Sequence, residues 1–490
     1  LEWGLAMRLD SSMRFPKQMT LGALNNDTLI ERMGFEIARQ MKRLGVHVSF
    51  SPVADVNNNP ANPVINERSF GEDRENVARK AIAYMRGLQN GGVIATAKHF
   101  PGHGDTDVDS HLGLPLIAHT RARLDSLELY PFQRLVDEGL AAMMVAHLEV
   151  PALDTTHGMP STLSWPVNQL LSNELGFKGL VFTDALNMQG VANADKPGEI
   201  ELRALQAGND VLLFPQDPVK AIERIRLAVD SGEIERSVIS ARCLKVLRAK
   251  EWAGLKRRTF VPVKNIGSEL STPAARQLRR ELYGGALTVL RNKRALPIMG
   301  LDTLRIASLV IGADSGSTFQ QALSRYAAVD MFRCAKDAKP DSTRALVRQL
   351  NEYDVVIASI HKTSFRAEKD FGIPDAALDL LREIASTTKT IYVHFANPYR
   401  LTRAYGAQNF DGLVVAFEDD ADAHDLAAQL LFGAIGANGK LPVTASSFFA
   451  NGDGLDMKPQ QLLAYGLPEA IGLKTADLQG IGAIVREGIK

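Results

Sequence analysis

Along the first half of the chain, short apolar runs alternate with longer stretches in which apolar residues recur every three or four positions. The short runs are Val46 to Val53, Val93 to Ala97, Ala141 to Ala146, Leu180 to Thr183 and Val211 to Phe214. Runs of this length, bounded by Gly and polar residues, predict buried strands. The stretches Asp27 to Leu44, Arg74 to Asn90 and Arg121 to Glu138 carry helical periodicity. Several strands end directly in ionisable groups: Asp55, Lys98-His99, His147-Leu148-Glu149 and Asp184. This rhythm predicts an α/β fold, a TIM-type (β/α) barrel over residues 1–250 with its functional groups on one rim. Five strands are clear where a full barrel has eight, so the barrel is expected to lack its N-terminal piece. The opening Leu1-Glu2-Trp3-Gly4, with no capping or turn signal, reads as a start inside a domain.

The rhythm breaks over residues 251–272, where Lys256-Arg257-Arg258 and Pro262 suggest a linker. It then resumes. Strands are expected at Leu287 to Leu290, Ile306 to Ile311, Val355 to Ile360, Ile391 to Phe395 and Leu413 to Phe417, with helices such as Asp341 to Leu350 and Pro374 to Ile384 between them. Residues 273–450 therefore read as a three-layer α/β sandwich domain. The tail, 451–490, is Gly-rich and then helical from Thr475 to Ile489, a pattern that could lead into a further domain.

Composition narrows the function. The chain has 490 residues, enough for two or three domains, with 45% hydrophobic and 23% charged residues. Basic and acidic residues balance at 56 each, which gives no electrostatic case for nucleic acid or an anionic membrane. No apolar run is long enough to span a bilayer. Cys243 and Cys334 stand far apart and support neither a disulfide framework nor a cysteine-rich metal site.

The chemistry concentrates in Lys98-His99-Phe100-Pro101-Gly102-His103-Gly104-Asp105-Thr106-Asp107-Val108-Asp109-Ser110-His111, directly after a predicted strand. Three histidines, three aspartates and a lysine share one Pro- and Gly-broken segment. Asp109 precedes His111 by two residues, and a nearby carboxylate can fix an imidazole's tautomer and aim, making it a proton donor and acceptor near neutral pH. A surface histidine beside an incidental aspartate fits the same spacing. Asp184 closes the apolar strand Leu180 to Thr183, where a carboxylate is costly unless solvated or paired. It could be a nucleophile, a base, a metal ligand or a capping residue. Lys98 and His99 could hold substrate hydroxyls or form a rim ion pair. Arg68 and Arg8 could bind substrate oxygens through the planar guanidinium, or simply be solvated. Asp55 and His147 could tie rim loops together. Zinc on His99, His103, Asp105 and His111 is conceivable but lacks an established ligand spacing.

The segment Lys98 to His111 resembles the Lys-His-Phe-Pro-Gly-His-Gly-Asp-Thr…Asp-Ser-His signature of glycoside hydrolase family 3, in particular its β-N-acetylglucosaminidase branch. Ser51-Pro52-Val53-Ala54-Asp55-Val56, Asn66 to Gly71, Met144 to His147 and Phe182-Thr183-Asp184 resemble further family motifs in the family's order, and Gly439 to Thr444 resembles the end of its second domain. The resemblance implies that Asp184 is the nucleophile, His111 the acid/base and Asp109 its orienting carboxylate. It implies that Lys98, His99, Arg68 and Arg8 hold the sugar. The reaction implied is retaining, exo-acting hydrolysis of terminal β-linked N-acetylglucosamine, with no cofactor and no metal. The substrate implied is a muropeptide-derived or chitin-type glycan, and phosphate could replace water as acceptor. Alternatives are a family 3 β-glucosidase, in which Glu418 of the second domain would serve as acid, and a non-catalytic carbohydrate-binding protein.

Two departures stand out. The family's Asp-x-Glu-Gly-Gly-like segment is entered one residue late, and Trp3 replaces a usual Gly. Leu463 to Lys490 weakly resembles the entry to a serine β-lactamase-like domain, which would favour an extracytoplasmic location.

Overall fold

The computed structural model describes residues 1–108, 113–256, 260–313, 317–403, 409–460, 462–478 and 480–489. Its first sheet is parallel and holds β1 (Val48–Ser49), β2 (Ile94–Phe100), β3 (Ala142–Val145) and β4 (Leu180–Thr183) in sequential order. Single bridges extend it, Val53 to Lys98 at one edge and Phe182 to Val211 at the other. Sequential parallel strands with a helix in each crossover are the arrangement of an α/β barrel wall.

The helices form where polar caps meet apolar stripes. Helix Arg74–Asn90 starts at Asp73, whose side chain accepts from Asn76 N, and buries Val77, Ala81, Tyr84, Met85 and Leu88. It packs closely on helix Thr28–Arg43. A Cβ on Gly87 would meet Glu31 O at 2.1 Å, so only glycine permits this approach. Lys80 is buried at the same contact and pairs with Asp27 at 2.9 Å.

Three expected elements need correction. The run Val46 to Val53 pairs as a strand only over Val48–Ser49 and at the Val53 bridge. The run Val211 to Phe214 makes one bridge and no strand; its residues are partly exposed, and Phe214 takes a positive φ of 50°. The stretch Arg121 to Glu138 forms two helices, Arg121–Ser126 and Tyr130–Asp137. Pro131 lacks an N–H and fits only a first helical turn, so it starts the second helix and cannot continue the first. Around the expected linker, helix Arg236–Trp252 runs past residue 250 and a short helix occupies Ile266–Leu270.

The second sheet is mixed, in the order β5 (Thr288–Asn292), β10 (Gly412–Val415), β9 (Thr390–His394), β8 (Val355–Ile360), β6 (Ile306–Ile311) and β7 (Val329–Cys334). Only β5 runs antiparallel to its neighbour. β6, β8, β9 and β10 are buried throughout, as strands covered on both faces must be. β7 has no counterpart among the expected strands. It is an edge strand in which Asp330 and Arg333 interrupt the apolar residues, so no continuous apolar run marks it. The tail helix forms as two short pieces, Thr475–Leu478 and Ile481–Gly488, with no buried residues.

The sandwich packs on the barrel beside the predicted rim. Asn57 Nδ2 donates to Tyr399 Oη at 3.0 Å, Asn397 Nδ2 donates to Asn66 Oδ1 at 2.6 Å, and Glu72 accepts from Thr444 N at 2.9 Å. Among the described residues no helix is long and apolar enough to cross a membrane.

Candidate active site

Strand β2 delivers two of the expected residues. Between the pairs Ala97–Met143 and Phe100–Val145 it carries one residue more than β3, an irregularity that falls on Lys98-His99. An extra residue at a strand's end re-aims side chains without ending the pairing. Lys98 Nζ thereby lies 2.8 Å from Glu2 Oε1, and His99 Nδ1 lies 2.7 Å from Asp55 Oδ2. Both residues belong to the strand itself and not to the loop after it.

Glu2 is the anchor of the cationic side. It is wholly buried and takes Arg68 in a fork, Nε at 2.9 Å and Nη2 at 2.7 Å, in addition to Lys98. Burial alone would raise its pKa, but Arg68 and Lys98 outweigh that and hold the carboxyl well below its ordinary range. Arg68 also donates Nη1 to Val64 O at 3.0 Å and brings Nη2 to 3.4 Å from His99 Nε2. Glu2, Arg68, Lys98 and His99 thus form one contact chain, with one carboxylate fixing both cations. In the sequence the glutamate stands out only as part of a motif; its hub role rests on contacts 66 residues apart and more, which no local pattern reveals.

Asp55 anchors the other side. It accepts from His99 Nδ1 and, at 2.7 Å, from His103 N. Burial opposes its ionisation, but His99 and the hydrogen bonds win and its pKa is lowered. The Pro-Gly loop closes over this carboxylate because Gly104 lets its backbone touch the strand end. A Cβ there would meet Val56 O at 1.9 Å. His103 turns Nδ1 onto Thr106 Oγ1 at 2.7 Å, and burial pushes its pKa down to about 4.

Asp184 follows β4 directly. Its N–H donates to Val145 O at 2.9 Å, and its Oδ1 accepts from Ala185 N at 2.8 Å. Burial raises its pKa, but His99, His147, the Ala185 N–H and Lys98 outweigh it and keep the carboxylate ionised below its ordinary range. His147, at the end of β3, places Nδ1 2.6 Å from Thr162 Oγ1 and Nε2 3.0 Å from Ala185 O, holding the backbone next to Asp184. An anion at a strand's end, beside lysine and imidazole and held by a backbone N–H, can act as a nucleophile on an electrophilic carbon.

Arg8 is not drawn into this cluster. It is exposed, and Nη1 donates to Met7 O at 3.0 Å. Asp109 and His111 lie outside the described residues. The three described members of the conceivable zinc set turn to separate partners: His99 faces Asp55, His103 faces Thr106 and Asp105 faces His119 at 2.6 Å. Glu418, the alternative acid, is tied down at the domain junction. It accepts from Thr20 Oγ1 at 2.7 Å and Lys17 N at 2.8 Å, and it pairs with Arg14.

Comparison with known proteins identifies the family of both domains. The model of the glycosyl hydrolase family 3 N terminal domain matches residues 1–249, and that of the family's C-terminal domain matches residues 262–464. Beta-hexosaminidase A of Pseudoalteromonas piscicida is 27% identical over 490 residues, spanning 89% of this chain and 80% of its own length. The beta-hexosaminidase of Nitrosomonas eutropha is 35% identical over 238 residues, 46% of this chain and 68% of its own length. The solved structure of a glycoside hydrolase family 3 beta-N-acetylglucosaminidase from Paenibacillus sp. superposes with a TM-score of 0.74 at 28% identity, covering 91% of this chain and 85% of that one.

Proposed function

The chain belongs to glycosyl hydrolase family 3, an α/β barrel followed by an α/β sandwich, and from that premise we propose that it is a retaining, exo-acting β-N-acetylglucosaminidase. The observation that carries the reading is Asp184. It is an ionised carboxylate at the end of β4, its Oδ1 accepts from Ala185 N at 2.8 Å, and it lies in the field of His99 and Lys98. In the proposed reaction His111, aimed by Asp109, gives its proton to the glycosidic oxygen as Asp184 attacks the anomeric carbon. The leaving alcohol departs with that proton, and a glycosyl ester forms on Asp184. Water then gives a proton to His111 and attacks the same carbon, which frees Asp184 and retains the anomeric configuration. Lys98, His99, Arg68 and Arg8 would hold the sugar hydroxyls, the first three in an orientation set by Glu2 and Asp55.

The barrel is taken as TIM-type, with this rim as its catalytic face. The engagement of Glu418 by three barrel groups favours the histidine acid over the β-glucosidase arrangement. The names of the related hexosaminidases support the N-acetyl preference. A muropeptide-derived glycan, and with it a role in peptidoglycan recycling, is the finer form of the proposal; a chitin-type oligomer has the same terminal chemistry. Side-by-side rates on aryl β-N-acetylglucosaminide and aryl β-glucoside test the reading. Preference for the first is expected; preference for the second, or sugar binding without turnover, would overturn it.

A further inference from the structure

The second domain holds a cluster of chemistry that the proposed glycosidase reaction does not use. His361 follows β8, Asp419 follows β10, and His424 lies in the first turns of helix Ala421–Leu431. His361 Nδ1 lies 2.9 Å from Asp419 Oδ1, and His424 Nε2 lies 2.7 Å from the same oxygen. The three donor atoms fall within 4.8 Å of one another. Both imidazoles are nearly buried, at 3% and 8% exposure, so the cluster is not a solvated patch of surface charge.

We propose that His361, Asp419 and His424 form a divalent transition-metal site, of zinc type, in the sandwich domain. Three features argue for it. The donor set, two imidazole nitrogens and one carboxylate oxygen, is that of zinc sites with an open fourth position. The far nitrogens are each held by a hydroxyl: His361 Nε2 lies 2.8 Å from Ser359 Oγ, and His424 Nδ1 lies 2.5 Å from Thr318 Oγ1. Outer partners of this kind set the tautomer of a metal-ligating histidine and aim its free nitrogen inward. Hydroxyls accept as well as donate, so each can take the N–H that metal binding would leave on the far nitrogen. The second carboxylate oxygen is occupied by Lys362 N, which leaves Oδ1 as the single coordinating atom.

Position in the fold is the third feature. The strand order β10-β9-β8-β6-β7 means that the chain leaves β6 toward β7 on one side and continues from β8 on the other. The crevice at the C-terminal ends of β6 and β8 is therefore the topological switch point, where open α/β sheets bind ligands. His361 N donates to Ile311 O, the last residue of β6, at 2.9 Å, which seats the histidine between the diverging strands. Lys336 stands at the cluster's edge with its ammonium on Lys362 O and Gly372 O, both at 2.7 Å. It limits the net negative charge, which suits a nitrogen-rich site better than an all-oxygen calcium site.

A tetrahedral zinc with ligands at its usual distances separates them by about 3.3 Å. The present spacings of 2.7 and 2.9 Å would open by roughly half an ångström, within the reach of small side-chain rotations. Asp419 is adjacent to Glu418, which binds barrel residues Lys17 and Thr20. A metal on this cluster would stiffen the segment that clamps the two domains.

The test uses the full chain stripped with chelator and titrated with Zn²⁺, and separately with Co²⁺ as a spectroscopic probe. One equivalent bound, with the visible absorption of four-coordinate Co²⁺, is expected. His424→Gln should weaken Zn²⁺ binding by at least about 100-fold, since loss of an outer partner alone costs about 10- to 100-fold. Thr318→Val, which removes only such a partner, should weaken it by about 10- to 100-fold, and it decides the matter if His424→Gln does not fold. A second described grouping, Asp105, His119 and Glu128, could also take a metal; His119→Gln should therefore leave the affinity unchanged. Absence of uptake would overturn the proposal, as would binding insensitive to both sandwich substitutions or lost in His119→Gln. The histidines would then be no more than a pair hydrogen-bonded to Asp419.

Discussion

Asp55 and His99 meet at 2.7 Å across the end of the first sheet, with the Asp55 side chain wholly buried. With His99 Nδ1 donating to the carboxylate, Nε2 is the nitrogen left to face Arg68. The same carboxylate takes His103 N and so fixes the start of the loop toward Asp109 and His111. Asp55→Ala would leave buried donors without an acceptor and release both the imidazole and the loop. A loss of about 3–5 kcal/mol in unfolding free energy is expected, together with a lower kcat/KM. Denaturant melts and initial rates check both, and an unchanged melt would show that the pair is dispensable.

A second expectation concerns pH. Burial lowers the pKa of His103 and of His394 to about 4. Between that value and the ordinary histidine range the unfolded chain binds protons that the fold rejects, so stability falls as pH drops from about 6.5 to about 4. Every tenfold loss of proton affinity on folding corresponds to about 1.4 kcal/mol, so the two histidines together cost several kcal/mol at the acid end of that window. Glu2, Asp55 and Asp184 have lowered pKa values, so their contribution is present above the usual carboxylate range and is lost at more acid pH. Melts at closely spaced pH values should show the slope. His394→Gln should make it shallower between pH 6.5 and 4, whatever its effect at neutral pH; an unchanged slope would mean that His394 does not contribute.

These sites differ in how far they can be read from sequence. β2, β4, β6 and β8 are visible as apolar runs because strands buried on both sides leave no polar alternation to confuse them. Asp184 is visible because a carboxylate directly after such a run is expensive without a purpose. Asp55 and His147 read in the sequence as possible ties between loops, and their hydrogen bonds fit that role. The edge strand β7 is hidden by its own outward charges. The role of Glu2, and the contact between Asn66 and Asn397 that brings the sandwich to the rim, join residues distant in sequence and follow only from packing.

The Asp184 carboxylate is expected to carry the covalent step. Asp184→Asn keeps the shape and the Ala185 contact but removes the negative charge. Turnover should fall on the order of 10⁴-fold or more, as removal of a nucleophile does elsewhere, with a circular dichroism spectrum and melt close to those of the parent. A rate within tenfold of the parent would remove Asp184 as nucleophile.

The identity of the acid separates the two enzymatic readings. Glu418 holds Thr20 Oγ1, Lys17 N and Arg14 together, a structural duty that a proton donor free to reach a glycosidic oxygen would not have. Glu418→Gln should therefore cost about 1–3 kcal/mol of stability, between the exposed-pair and buried-pair ranges because Arg14 is partly exposed. Its rates should fall equally on substrates with good and poor leaving groups. His111→Ala should behave oppositely. An aryl leaving group of low pKa needs little protonation and should be nearly spared, whereas an alkyl or sugar leaving group should be slowed by about 10²- to 10⁴-fold. Leaving-group series on the two variants decide the matter. A steep dependence appearing in Glu418→Gln and absent from His111→Ala would move the acid to the sandwich domain and the chain to the glucosidase reading.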